Sequence, residues 1–238
     1  MFTKFAQPKN FHALTDVISP YLAAFALLFL GIGLYHALII SPPDYQQGDM
    51  VRVMYIHVPA AWLALMNYAA MGCAAISYLV WRHVVAEMML RALAPLGATL
   101  AAICLVTGML WGEPTWGTFW VWDARLTSVL ILFLIYIALI ILTRSENAMH
   151  NMAPAAWLTI IGLINLPIIK FSVDWWSTLH QTATISSLSR IANPALPPEM
   201  LQPLLLMFAA YFCWWLWLGL LRTQTLLWQR QQLMRAPT

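Results

Sequence analysis

Six long apolar stretches constrain this chain more than any other feature of its sequence. Each approaches the ~20 residues that an α-helix needs to cross the hydrocarbon core of a bilayer. Of the 238 residues, 62% are hydrophobic and 9% are charged, whereas a soluble domain carries roughly a quarter charged residues. The composition therefore predicts an all-α, polytopic membrane bundle of six transmembrane helices. We place the spans near residues 19–40, 57–81, 90–111, 126–143, 154–171 and 201–221.

The distribution of basic residues predicts the orientation of the bundle. With a cytoplasmic N-terminus, eight Lys and Arg residues fall in inner segments and four fall in outer segments, as the positive-inside rule prefers. Both termini are then cytoplasmic, and loops 41–56, 112–125 and 172–200 lie outside. Neither a linker nor a repeat divides the sequence, so residues 1–238 are interpreted as one integral membrane domain. Residues 226–238 are expected to form a frayed polar tail.

The remaining global features exclude several functions. A formal charge of +3, scattered along the chain, is too small for nucleic-acid binding. The first apolar stretch follows Lys4 and Lys9, is long enough to span, and lacks a small-residue cleavage site, so we expect no cleaved signal peptide. Cys73, Cys104 and Cys213 lie inside separate spans and form no Cys-x-x-Cys motif. They are expected to be small core residues without thiol chemistry.

A tryptophan-rich run between the third and fourth spans is the strongest functional signal. Trp111, Trp116, Trp120 and Trp122 occur within fifteen residues, together with Phe119, glycines, a proline and the charged residues Asp123 and Arg125. One Trp beside a membrane is usually an interface anchor. Four in one predicted loop, interleaved with glycine, favour a platform for a large flat ligand.

Two histidines flank this run on the outer side. Pro59 suits the first turn of a helix, so His57 is expected at the mouth of the second span. His180 follows Trp176 by four residues, and the two would share one face if residues 174–180 were helical. Either histidine alone could be an interfacial residue without a ligand. His12, His83 and His150 are expected to be solvated on the inner side, and His36 could be a packed residue or a pocket member.

Haem is the ligand whose chemistry uses both features. Paired imidazoles can occupy its two axial positions, and its porphyrin packs well against aromatic side chains. Zinc sites normally show closer spacing and further ligands, and a quaternary ammonium would not need histidine. A guanidinium suits a carboxylate, so Arg125, with Arg52 or Arg190 as further candidates, could pair with the haem propionates.

The sequence around the Trp run also resembles a known family. Trp116-Gly-Thr-Phe-Trp120-Val-Trp122-Asp123-Ala-Arg125-Leu-Thr-Ser128 resembles the tryptophan-rich signature of the haem-handling protein family. Within it, residues 44–48, 55–61, 165–169 and 175–181 resemble the CcmC branch, which acts in bacterial cytochrome c maturation. The resemblance covers about residues 41–181. Phe119 stands where this branch usually has another Trp.

The resemblance implies roles for particular residues. His57 and His180 match the axial haem ligands of the family. The motif that cradles the porphyrin is matched by Trp111, Trp116, Trp120, Trp122, Asp123 and Arg125. For Asp123 and Arg125 two interpretations stay open: an ion pair that anchors the loop, which we favour, or contact with a propionate and a partner.

The resemblance also implies a function and partners. Such proteins lie in the bacterial inner membrane and present haem b, a transient cargo, to a membrane-anchored periplasmic haem chaperone (CcmE-like). They work beside a small single-span protein (CcmD-like) and an ABC transporter (CcmA-like and CcmB-like subunits) that hydrolyses ATP. No nucleophile or acid–base pair stands out in the sequence, so we expect a haem-transfer protein rather than an enzyme.

Two other classes of function remain as alternatives. A cytochrome b-type electron carrier would hold a permanent haem between histidines at membrane depth, often two on one span, and no predicted span carries two. A transporter of small solutes would need midplane ionisable residues and broken helices. Pro95 and Pro167 are the only clear interior breakers that we identify in the sequence.

Overall fold

A computed structural model describes residues 7–144, 151–180 and 196–235. These residues form seven α-helices and no strand: α1 (Pro8–Tyr35), α2 (Met54–Trp81), α3 (Val84–Trp116), α4 (Ala124–Arg144), α5 (Ala153–Gly162), α6 (Asn165–Trp175) and α7 (Pro198–Arg235). A π-helical turn, His36–Ile40, extends α1, and a 3-10 helix, Asp49–Val53, leads into α2. The all-α prediction is confirmed.

Six segments are long and apolar enough to cross a membrane, as the sequence predicted. They are Pro8–Ile40, Asp49–Trp81, Val84–Trp116, Ala124–Arg144, Ala153–Trp175 and Pro198–Arg235. Every predicted span falls inside one of them. The segments run further at one end or at both, because hydropathy marks the apolar part of a helix and not its termini.

The first and last helices extend furthest beyond their predicted spans. At the end of the bundle away from the Trp run, Phe11 of α1, Val85 and Met88 of α3, and Leu227 of α7 form a buried apolar cluster. Arg230 of α7 also pairs with Glu87 of α3 at 2.5 Å. The expectation of a frayed tail from residue 226 is therefore wrong for the described residues up to Arg235.

The fifth span is broken between α5 and α6. Pro167 has no N–H to donate to the carbonyl of Leu163, and its ring crowds that carbonyl. The N–H of Leu166 bonds the Leu163 oxygen instead, at 3.1 Å, and the Asn165 amide donates to the Ser128 carbonyl of α4 at 2.9 Å. Of the two prolines identified as breakers in the sequence, Pro167 lies just after a break, in the first turn of α6, whereas Pro95 stays inside α3 without ending it.

A buried amide joins four helices at the centre of the bundle. Asn67 of α2 donates to the Leu93 carbonyl of α3 and to the Tyr136 hydroxyl of α4, both at 3.1 Å. Its own oxygen accepts the indole N–H of Trp215 from α7 at 2.8 Å. The Tyr136 hydroxyl donates in turn to the Ala64 carbonyl at 2.6 Å. Through its bond to Asn67, Trp215 is a packing residue of the bundle.

Two predictions about single residues are wrong. Cys104 is buried, but Cys73 is exposed on the surface of α2, so it is not a core residue. His12 is not a solvated loop residue, because it lies on α1 and stacks on Trp228 of α7 at 5.2 Å with both ring nitrogens buried. His83 directly precedes α3, and His150 lies outside the described residues.

The close approach of α3 to the buried amide generates a stability prediction. A Cβ at Gly97 would lie 2.1 Å from the Tyr136 ring and 2.4 Å from the Asn67 amide nitrogen. Gly97→Ala is expected to destabilise the bundle by about 1–3 kcal/mol through overpacking, measured as a lower Tm in detergent. Gly31→Ala is the control, because nothing lies within 4 Å of its Cβ position. An equal Tm for both variants would contradict the close packing at Gly97.

Candidate functional site

The Trp run lies at one end of the bundle. We call this end the tryptophan end, and it also includes residues 36–53 and 176–180. The run is a loop only over residues 117–123, because α3 continues through Trp116 and α4 begins at Ala124. The expected loop over 112–125 is therefore too long. Gly117 ends α3 in the left-handed conformation (φ 74°), and its N–H bonds the Glu113 carbonyl, as is common at helix C-termini.

His57 lies in the first turn of α2, which begins three residues earlier than predicted. Its Nδ1 is 3.1 Å from the Thr107 hydroxyl of α3. That hydroxyl has one proton and donates it to the Ile103 carbonyl at 2.6 Å. Thr107 can therefore only accept from His57, which places the imidazole proton on Nδ1 and leaves the Nε2 lone pair available.

Gly108 and Trp111 on α3 complete the surroundings of His57. A Cβ at Gly108 would lie 3.0 Å from Cε1 of the imidazole, so the missing side chain admits the ring. The Trp111 ring meets His57 edge-on, with centroids 5.7 Å apart. The Trp111 indole N–H donates to the Gln47 side-chain oxygen at 2.9 Å.

Gln47 belongs to a tight turn over residues 44–48. The Asp44 carboxylate accepts the N–H groups of Gln46 and Gln47, both at 2.9 Å, and Gly48 adopts a positive φ of 56°. The turn thereby holds the Gln47 amide beside Trp111. Sequence reasoning missed Gln47, Thr107 and Gly108 as site residues; the motif at 44–48 was the one signal for the first of them.

His180 lies beyond the end of α6 in a non-helical segment. Helix α6 ends at Trp175, and Trp176 is extended (φ −132°, ψ 152°), so Trp176 and His180 do not share a helix face. The neighbour of His180 is Trp116 at the end of α3, with ring centroids 4.9 Å apart. Both candidate histidines thus lie against the last turns of the same helix.

The Asp123 carboxylate makes two hydrogen bonds from a buried position. One oxygen accepts the Leu126 N–H at 2.7 Å and caps the start of α4. The other lies 2.9 Å from His180 Nδ1, and only 5% of the Asp123 side chain is exposed. An ionised carboxylate only accepts hydrogen bonds, so Nδ1 of His180 carries the proton and Nε2 is available.

Burial and charge act in opposite directions on His180. Desolvation lowers the pKa of the imidazole below its usual 6.5, while the hydrogen bond and the charge of Asp123 raise it and Arg125 lowers it further. The net pKa is lowered, so His180 is neutral at pH 7. A neutral imidazole with a free Nε2 is the form that binds a metal.

Trp120 and Trp122 form an edge-to-face pair with centroids 5.4 Å apart. The Trp120 indole N–H is buried without a hydrogen-bond partner in the described part of the chain, a state that costs free energy unless another acceptor is supplied. Trp122 is 76% exposed, and Phe119 is 54% exposed. The loop therefore offers open aromatic surface together with one buried donor.

The favoured ion pair between Asp123 and Arg125 is not formed. Asp123 bonds Leu126 and His180, as described above, while Arg125 Nε donates to the Ser172 hydroxyl of α6 at 3.3 Å. Arg52 binds the Ala37 and Leu38 carbonyls and the Asp49 carboxylate, so it caps the end of the first span. Arg190 lies outside the described residues.

The arrangement offers two imidazoles whose Nδ1–H groups have fixed acceptors, with aromatic surface beside them. No group of three or more His, Cys, Asp or Glu residues that could hold a bare metal ion occurs within residues 7–144, 151–180 and 196–235. Structural and catalytic zinc sites use three or four such ligands. The tryptophan end instead suits a ligand that brings its own equatorial coordination.

Comparison with known proteins gives concordant matches along the chain. The profile of the CcmC family, described as heme exporter protein C, matches residues 1–236. Heme exporter protein C of Bradyrhizobium diazoefficiens is 50% identical over 207 residues, covering 87% of this chain and 77% of the relative. That of Haemophilus influenzae is 41% identical over 219 residues, 92% and 88% of the two chains. A putative ccmC-like mitochondrial protein of cytochrome c biosynthesis from Marchantia polymorpha is 40% identical over 212 residues, 89% of each chain.

The two bonds of Asp123 can be separated by substitution. Asp123→Ala removes the cap of α4 and is expected to lower stability by about 0.5–2 kcal/mol. Asp123→Ser retains a capping oxygen but is too short to serve Leu126 and His180 together, so its Tm in detergent should stay closer to that of the wild type. If Asp123→Ala and Asp123→Ser had the same Tm, the cap would contribute nothing to stability.

Proposed function

Because this chain belongs to the CcmC family of heme exporter proteins, we propose that it delivers haem for cytochrome c biogenesis. It binds haem b as a transient cargo at the tryptophan end, with His57 and His180 as axial ligands of the iron, and passes it to a periplasmic haem chaperone. It is a multi-pass membrane protein, with six helical segments long and apolar enough to cross a membrane. Its own role is binding and presentation of the cargo, without catalysis.

The state of the two imidazoles is the observation that carries this proposal. An axial histidine needs an unprotonated Nε2, and haem proteins fix this tautomer by giving Nδ1–H an acceptor. Thr107 does this for His57, and Asp123 does it for His180. Two histidines from distant parts of the sequence therefore present the same tautomer at one end of the bundle.

The surrounding residues fit the rest of a haem molecule. Trp111 and Trp116 stand beside the two imidazoles, and Trp120 and Trp122 add aromatic surface for the porphyrin. The buried Trp120 N–H has no acceptor in the described part of the chain, and a propionate oxygen would provide one. Arg125 uses Nε for Ser172, and its terminal nitrogens have no hydrogen-bond partner among the described residues, so they are available to a propionate.

The direction of delivery follows from the charge distribution. By sequence, eight Lys and Arg residues fall in the predicted inner segments and four in the predicted outer segments, which favours a periplasmic tryptophan end and cytoplasmic termini in the bacterial inner membrane. The cargo then leaves towards a membrane-anchored, CcmE-like chaperone. The proposed complex also contains a CcmD-like single-span protein and a CcmA-like and CcmB-like ABC transporter, which supplies the ATP hydrolysis.

The positions of the histidines favour cargo binding over a permanent redox haem. A cytochrome b-type carrier would hold its iron between helices at membrane depth, whereas His57 lies in the first turn of α2 and His180 lies outside the helices. A cargo site needs this terminal placement because the ligand must leave.

Visible absorption spectra test the proposed ligands. Wild-type protein, purified after coexpression with the haem chaperone, should show a Soret band and low-spin features. His57→Ala and His180→Ala should each reduce low-spin haem per protein at least several-fold, because one axial position is lost. His83→Ala, which changes a histidine outside the tryptophan end, should match the wild type. A haem spectrum indifferent to both ligand substitutions would place the iron elsewhere.

Substitution of the exposed indole tests the platform. Trp122→Ala should impair haem loading but leave the expression level and Tm unchanged, since this side chain is 76% exposed. Trp215→Ala is the matched comparison, because it removes the partner of a buried amide and should lower the Tm. Unchanged loading in Trp122→Ala, measured as chaperone-bound haem, would exclude Trp122 from the platform.

A further inference from the structure

The two candidate haem ligands differ in the group that accepts their Nδ1–H. His180 donates to a carboxylate, that of Asp123, at 2.9 Å. His57 donates to a hydroxyl, that of Thr107, at 3.1 Å. The acceptor matters because it sets how much electron density the imidazole can give to a metal through Nε2.

The carboxylate makes His180 the stronger donor. A charged acceptor in a buried position draws the Nδ1 proton towards itself and gives the ring partial imidazolate character. The Asp123 side chain is 5% exposed, so water screens little of its charge. Its second oxygen is fixed by the Leu126 N–H, which prevents the carboxylate from turning away.

The hydroxyl makes His57 the weaker donor. The Thr107 oxygen is neutral and gives its own proton to the Ile103 carbonyl at 2.6 Å. It therefore fixes the tautomer of His57 but supplies no negative charge. His57 is instead held by its place in α2 and by the edge-on ring of Trp111, and the missing side chain of Gly108 leaves room for the imidazole.

From this asymmetry we propose that His180 is the anchoring ligand of the haem iron and that His57 is the exchangeable one. The inference rests on the proposed function and adds the order in which the bonds break when the cargo leaves. The iron–Nε2 bond of His57 opens first, and its electron pair stays on the imidazole. An incoming donor of the acceptor protein fills the vacated position, with no change in the oxidation state of the iron. Asp123 and Thr107 are the positioning residues that create the difference.

The stretching frequency of the iron–histidine bond measures the donor strength of each ligand separately. Resonance Raman spectra of the ferrous protein would be recorded for His57→Gly, in which His180 alone binds the iron, and for His180→Gly, in which His57 alone binds it. We expect a higher frequency in His57→Gly. We also expect His57→Gly to retain at least several-fold more haem per protein than His180→Gly, because the anchoring bond remains.

A second substitution assigns the difference to its cause. In Asp123→Asn, the Leu126 N–H binds the amide oxygen, so the amide NH₂ faces Nδ1 of His180. Because the NH₂ group donates, Nδ1 must accept and no longer carries the imidazole proton. Added to His57→Gly, this change should lower the frequency or release the haem. Thr107→Val in the same background is the matched control and should leave the frequency unchanged, because its imidazole partner is already absent.

The outcomes separate this inference from the proposed function. Equal frequencies in the two single variants, or retention of haem by His180→Gly alone, would overturn the inference while leaving haem binding intact. Absence of haem from the folded wild type would reject the proposed function itself. If both single variants lost their haem, the reduction potential of the full-length protein would decide: Asp123→Asn should raise it, and an unchanged potential would overturn the inference.

Discussion

The amide of Asn67 is the interaction on which the geometry of the bundle depends. In an apolar interior a polar side chain is costly unless its hydrogen bonds are made, and this amide makes them with α3, α4 and α7 at once. Gly97 allows the approach, since any side chain there would meet Asn67 and Tyr136. Helices α2, α3 and α4 are thereby fixed relative to one another, and they are the helices that carry His57, Thr107 and the residues following Asp123.

The tryptophan end uses the same principle with charge added. Asp123 lies between a helix start and an imidazole, so one carboxylate determines where α4 begins and how His180 is oriented. On the other side, the Thr107 hydroxyl accepts the Nδ1–H of His57 and donates its own proton to the Ile103 carbonyl of α3. Local structure and ligand chemistry are thus coupled here, because the carboxylate that caps α4 and a hydroxyl inside α3 also fix the two tautomers.

Hydropathy was sufficient to predict six spans, because a membrane requires about twenty apolar residues in each. It did not predict that the fifth span is broken, since Pro95 and Pro167 were equal candidates and only Pro167 lies beside a break. It could not predict that α1 starts at Pro8 or that α7 reaches Arg235, since those turns are held by tertiary contacts such as Phe11 with Leu227 and Arg230 with Glu87. The candidate ligands His57 and His180 were visible as residue types flanking a Trp run. The hydrogen-bond partners of these histidines could not be predicted. Thr107 looks like an ordinary residue of a span and lies fifty positions from His57. For Asp123 the favoured partner was the nearby Arg125, whereas its actual partner, His180, lies 57 positions away.

The packing of α1 has a consequence for biosynthesis. Among the described helices, α1 packs chiefly along α7, through contacts that include the stack of His12 on Trp228 and the close approach of Gly33 to Met207. Roughly 160 residues separate the end of the first helix from the start of the last, which at bacterial synthesis rates is about 10–30 s. For that interval the first helix lies in the membrane without its principal neighbour, so the ribosome must synthesise α7 before the bundle can close.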